Sequence, residues 1–334
     1  MLISIDLHIG DYYIFFTKVN QGGILRMNSG DQKYRPFSKR TVTVFIMTII
    51  FLIIGGFFPT ANGIIVIIPA FIALMTAWEN IYGAILLSLT GMLLSWGLNI
   101  PYISVITIIF LSVIGIMLGF GIKKNSDSIK VIFGTTFILL ILLVFYGIYF
   151  RLQNGVTLSE AVIKMYSNAI LSTVKSEQLK LLKEQGINLN VLLNSMSTLF
   201  PSILFSSSLF ICFVSYYTAT FIMNREGQSN IYPSFSSFSL PGNQVIGIFL
   251  ILIFAQLIKY MHIEYSETIA STSLVIVSFL MYLQGLAVLS FWTGRRFAPL
   301  SGKIIFLISI IFLPGMPIFL GMFDGVFNFR RTKK

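Results

Sequence analysis

The chain has 334 residues, of which 56% are hydrophobic and 10% charged, with a mean hydropathy of +0.87 and a net charge of +11. Soluble domains are roughly a quarter charged, so this composition excludes a water-soluble fold and makes the bilayer the solvent for most of the chain. The bases sit at the ends of apolar runs rather than on one reading face, which positive-inside topology and anionic headgroups explain, and which argues against nucleic acid as a partner.

The sequence offers little for catalysis. One cysteine, Cys212, lies inside an apolar run, and His8 and His262 match no metal-ligand spacing. No phosphate loop, nucleophile elbow or zinc-protease motif is present. No metal, no cofactor and no enzymatic activity are expected.

Residues 1–40 read as a polar cytoplasmic tail. Gln21-Gly22-Gly23 stands just upstream of Met27, as a translated ribosome-binding sequence would, so residues 1–26 are expected to be leader ahead of a natural start at Met27. Residues 41–150 carry five hydrophobic segments, Thr41–Phe58, Gly63–Trp78, Ile81–Leu98, Pro101–Ile122 and Val131–Phe150. The second is short, contains Pro69 and is expected to be bent or partly re-entrant. The third and fourth are rich in small residues. Gly115 and Gly119 form a G-x-x-x-G, which lets helix backbones approach closely.

Residues 151–194 are the one sizeable polar stretch. Thr157-x-x-Glu160 predicts a capping box, followed by apolar residues at helical spacing from Leu158 to Ala169. An amphipathic extracytoplasmic helix is expected, with Gly186 ending it and Asn188 or Asn190 capping the next. Residues 195–334 hold the remaining segments: Leu199–Met223, Gln244–Met261, Ile269–Trp292 and a last run from Ile304 to Arg330.

With the N-terminus inside, the inner tail and loops, counted from Met27, hold eleven Lys and Arg against five outside. The bias supports that orientation. The last run resists it. Pro314, Gly315 and Pro317 break its middle, and a basic tail follows. Two models stand: a kinked span that carries the tail outside, and a buried hairpin that returns it inside.

Polar groups within or beside the apolar runs are the site candidates, since an ionisable group at membrane depth is a functional residue by default. Glu79, Gln256, Gln284 and Asp324 are read as substrate-binding candidates. Each has a structural reading beside the functional one. Glu79 falls at a turn that water reaches, and the two glutamines can simply join helices. Asp324 calls for an ion pair with Arg295, Arg296 or Arg330. These three arginines are also read as cytoplasmic anchor or partner contacts. The fold expected is an all-α polytopic transmembrane bundle of eight or nine hydrophobic segments.

Phe200-Pro201, Leu240-Pro241, Gln284-Gly285-Leu286 and above all LGMFDGVFNFR from Leu320 to Arg330 carry a likeness. On these the second half resembles the YybS-like family of predicted bacterial membrane proteins. That resemblance transfers no catalytic residue. The first half is similar to the S components of energy-coupling-factor transporters and to the cell-shape protein MreD. The likeness implies a multi-pass protein of the bacterial plasma membrane, active in vitamin or metabolite uptake with membrane or ATPase partner subunits. The alternative is a scaffold that positions envelope or signalling partners without transport. The substrate is expected to enter from outside, beneath the polar insert.

Overall fold

The structure is a computed structural model of the full chain. It describes residues 7–8, 13–14, 39–78, 81–98, 104–173, 189–225, 232–261, 265–296 and 304–330, apart from 305, 309, 311–312 and 314. Glu79, the leader, the Gly186 and Asn188 caps, Pro314 and the basic tail beyond Arg330 lie outside the described residues, as do the side chains of Arg295 and Arg296. The chain divides into two units, Met1–Arg40 and Thr41–Lys334. In the first, β1 (Leu7–His8) pairs antiparallel with β2 (Tyr13–Ile14).

The second unit is helical. In chain order come α1 (Lys39–Phe57), a 3-10 segment (Pro59–Ile67), α2 (Ile68–Trp78), α3 (Ile81–Gly97), α4 (Val105–Lys123), α5 (Ser128–Asn154) and α6 (Leu158–Thr173). Then follow α7 (Leu189–Arg225), a 3-10 turn (Phe235–Ser237), α8 (Gly242–Tyr260), α9 (Ser266–Arg296) and α10 (Met316–Phe327). Among the described residues five helices, α1, α4, α5, α7 and α9, are long and apolar enough to cross a membrane. Four further apolar stretches, Gly63–Trp78, Ile81–Gly97, Val245–Tyr260 and Met316–Phe327, are shorter.

The second segment changes helix type at Ile68. Pro59 opens a 3-10 stretch that hands over to α2 at Ile68. A 3-10 stretch rises about 2.0 Å per residue, so the pair covers more distance than an α-helix of equal length. Its backbone is tied to α7 where Ser215 donates its hydroxyl to the Val66 carbonyl at 3.1 Å. Every residue of α2 from Ile68 to Thr76 is buried. A helix apolar all round belongs at the centre of a bundle, and α2 is packed by α3, α4 and α7.

The G-x-x-x-G spacing does what its composition allows. A Cβ on Gly115 would run into Ile72 and the Pro69 carbonyl, and one on Gly119 into Thr76 and the Ala73 carbonyl. So α4 lies directly on the backbone of α2. The capping box forms as its residues predict: Glu160 Oε2 accepts from the Thr157 amide at 3.0 Å, and Thr157 Oγ1 accepts from the Glu160 amide at 3.3 Å. The serine run on α7 departs from the usual pattern. Ser207 bonds to the Leu204 carbonyl, but the Ser206 and Ser208 hydroxyls are buried without a partner.

Candidate functional site

The last run is two pieces. Residues around Ile304 to Ile310 are helical where described, Leu313 and Gly315 are not, and α10 starts at Met316. Twelve residues rise roughly 18 Å, well short of a hydrocarbon core of about 30 Å. What α10 does is pack on α9. A Cβ on Gly285 would collide with the Pro317 carbonyl, and one on Gly321 with the Met281 carbonyl. One glycine from each helix therefore lets the two backbones touch.

The end of α10 turns sharply. Asn328 takes the left-handed conformation (φ 47°, ψ 53°) and its amide donates to the Asp324 carbonyl at 2.8 Å. Asparagine tolerates this cap where most residues are strained. The reversal brings Arg330 back over the last turn and onto Asp324. Nη2 meets Oδ2 at 2.6 Å, and Nε lies 3.2 Å from both carboxylate oxygens. Both side chains are completely buried. From α9, Gln284 Nε2 donates to Oδ2 at 3.0 Å.

The guanidinium reaches further. Nη1 donates to the Ser236 carbonyl and Nη2 to the Phe238 carbonyl, both at 2.8 Å. These carbonyls belong to the connection between α7 and α8. A buried charge is tolerated when it is paired and its remaining donors are satisfied, and Arg330 meets both conditions. The cluster thus pins three elements together: α9 through Gln284, α10 through Asp324, and the α7–α8 connection through its backbone. One acceptor is left over, since Gln284 Oε1 is buried with no partner.

On the other side of α9 lies a cavity of about 440 Å³. Its walls are Phe210, Phe213, Tyr217 and Phe221 of α7, Phe235 of the connection, and Leu283 and Leu286 of α9. Phe213 stacks edge-on against Phe235 at 5.5 Å and Phe238 at 5.0 Å. The loop that Arg330 holds by its carbonyls is therefore also the loop that walls the cavity. Asn224 closes one end, exchanging two hydrogen bonds with the Tyr232 backbone at 2.9 and 3.0 Å. The Tyr217 hydroxyl is buried and lies next to Ser128 without meeting hydrogen-bond geometry.

The candidates named from sequence separate accordingly. Gln284, Asp324 and Arg330 come together. Gln256 does not join them. It donates to the Ala270 carbonyl at 3.4 Å, tying α8 to α9 fourteen residues from Gln284, roughly 21 Å along the helix. Among the three arginines that could have met Asp324, Arg330 is the partner. Sequence reasoning missed the cavity. Its aromatic residues, spaced three or four apart on α7, read as ordinary helix packing, and only the folded loop shows that they face a space.

A family model described as "Predicted membrane protein (DUF2232)" matches residues 45–326. The chain belongs to this family. No curated protein and no solved structure matches it. The DUF2232 match takes in both glycine crossings, Gln284 and Asp324, and stops short of Arg330. It runs through α7 and the α7–α8 connection, so the cavity is built wholly from DUF2232 residues.

Proposed function

We propose that this DUF2232 protein binds a small molecule within the membrane and acts in its uptake together with partner proteins. The reading places it in a bacterial plasma membrane with its N-terminus cytoplasmic, in keeping with the Lys and Arg bias of its loops. The observation that carries it is the cavity between α7, the α7–α8 connection and α9. At about 440 Å³ it falls in the range of small-molecule sites and is lined as such sites are, by aromatic and aliphatic walls with few polar groups. The likeness of the first half to S components points the same way, and those proteins work with an ATPase module.

The cavity shifts the expected route. It flanks the C-terminal part of α7, from Phe210 to Asn224, while the helix α6 of the polar insert follows the far end of α5. Entry beneath the insert is therefore not the path this reading favours. The test is direct. The purified full chain is screened against a broad vitamin and metabolite panel, and its native complex is probed for an ATPase module. Binding of one class of compound together with recovery of an ATPase supports uptake. No binding and no ATPase overturns it.

A scaffold for envelope or signalling partners is the second reading. The exposed break at Leu313 and Gly315 favours it, because broken backbone at membrane depth is tolerated only against protein or water. Crosslinking in cells that recovers envelope proteins, with normal uptake in a deletion strain, would decide for the scaffold.

A further inference from the structure

We infer that the outer face of α3 holds the bilayer thin, and that it selects lipids with short acyl chains. The inference goes beyond the uptake reading and stands whatever the cavity binds.

The face is set by composition. On one side α3 buries small residues, Gly83, Ala84, Ser88, Gly91 and Ser95, and it packs on α2 and α4. On the other side Tyr82, Leu86, Leu89, Leu93 and Trp96 are exposed and recur at steps of four and three. Tyr82 and Trp96, each 77% exposed, stand at the two ends, and the three residues between them are leucines. This is the pattern of a lipid contact. An interfacial Tyr or Trp keeps its ring at the edge of the hydrocarbon while its O–H or N–H reaches the headgroup level.

The face is short. Tyr82 and Trp96 are fourteen residues apart, roughly 21 Å along the helix. Both side chains lean toward the helix N-terminus, so the lean moves both rings the same way and leaves their separation unchanged. Tilt only reduces the depth they span. The hydrocarbon core of an ordinary bilayer is about 30 Å thick.

Other exposed helices lack this deficit. On α5 the exposed Tyr149 lies twenty-one residues beyond Ser128, roughly 32 Å. On α8 the exposed Tyr260 lies eighteen residues beyond Gly242, roughly 27 Å. The mismatch therefore belongs to the α3 side. A face too short for its bilayer is met by local thinning or by snorkelling side chains, and α3 carries no Lys or Arg that could snorkel. Short acyl chains meet the same deficit without being compressed.

The test uses the full chain with Trp96 as its one tryptophan, through Trp78→Phe and Trp292→Phe, in phosphatidylcholine vesicles. Brominated dioleoyl lipid quenches Trp96, and dimyristoleoyl or dierucoyl lipid is added to displace it. The short-chain lipid should displace the quencher about twofold better than the long-chain lipid does. A second reporter at the other end, Tyr82→Trp with Trp96→Phe added, should show the same preference. The control reporter Tyr149→Trp on α5, with all three tryptophans replaced, should show no preference for the short chain.

If the single-tryptophan protein fails to fold, nitroxide depth replaces quenching, with Cys212 changed to alanine. A nitroxide on Leu93→Cys should keep its depth from dimyristoleoyl to dioleoyl vesicles, while one on Val144→Cys of α5 becomes deeper. Equal displacement by both lipids, better displacement by the long-chain lipid, or the same short-chain preference at Tyr149→Trp overturns the inference. So does a Trp96 that brominated lipid leaves unquenched. Acrylamide then tells whether water or another protein covers the face. A nitroxide at Leu93→Cys that deepens as much as the one at Val144→Cys overturns it as well.

Discussion

Two close helix crossings are solved differently. In the first half, α4 lies on α2 through two glycines of one helix, Gly115 and Gly119, set against the carbonyls of Pro69 and Ala73. In the second half, α10 lies on α9 through one glycine from each, Gly321 and Gly285. The first crossing needs nothing more than close backbone contact and an apolar surround. The second adds a buried ion pair and a glutamine, and extends them to a loop. Apolar packing within lipid brings no hydrophobic gain of its own, so a short helix such as α10 needs directional bonds to hold one position. Charge and hydrogen bonding do for α10 what burial on every side does for α2.

The largest break in that comparison is expected at the ion pair. Asp324→Ala or Arg330→Ala leaves an unpaired buried charge and should cost about 3–5 kcal/mol in unfolding followed in detergent. Replacing both at once, Asp324→Leu with Arg330→Met, should lose much less, since no lone charge remains. No partner of this kind exists among the described residues at the α2–α4 crossing, where stability should respond to volume alone.

Next come the glycines. Gly321→Val and Gly119→Val each drive a side chain into a neighbouring helix and should cost about 1–3 kcal/mol or more. Gly134→Ala, on α5 with open space around it, should be neutral or gain about 0.5–1 kcal/mol by its better helix propensity. Equal responses at Gly321 and Gly134 would remove close approach as the reason for these glycines.

Smaller still is Gln284→Leu. It deletes one donor to Asp324 and also the unpartnered Oε1, so the net loss should be about 1 kcal/mol. The smallest effect is a silence. Cys212 is completely buried, so a maleimide should not modify it until the protein is unfolded.

How much of this could be read beforehand follows from range. The Gly115-x-x-x-Gly119 crossing was legible because both glycines lie on one helix four apart. Gly285 and Gly321 make an equivalent contact but sit thirty-six residues apart, with no spacing to betray them. The capping box at Thr157 was legible for the same local reason. Asp324 announced its need for a cation, but only the left-handed turn at Asn328 selected Arg330 over Arg295 and Arg296. The cavity was not legible at all. Phe235 and Tyr217 meet only because a loop folds back on α7, and Arg330, ninety-two residues beyond Phe238, holds that loop by its carbonyls.

The last run does not carry the chain to the opposite end of the bundle but returns it beside the α7–α8 connection, where Arg330 meets the Ser236 and Phe238 carbonyls. Single cysteines at Ser237, Phe329 and Val156, each exposed, test it with Cys212 replaced by alanine. An impermeant maleimide is applied to right-side-out and inverted vesicles. Positions 237 and 329 should label from one side, and position 156, beyond the far end of α5, from the other. Labelling of 329 together with 156, and opposite to 237, would contradict the account.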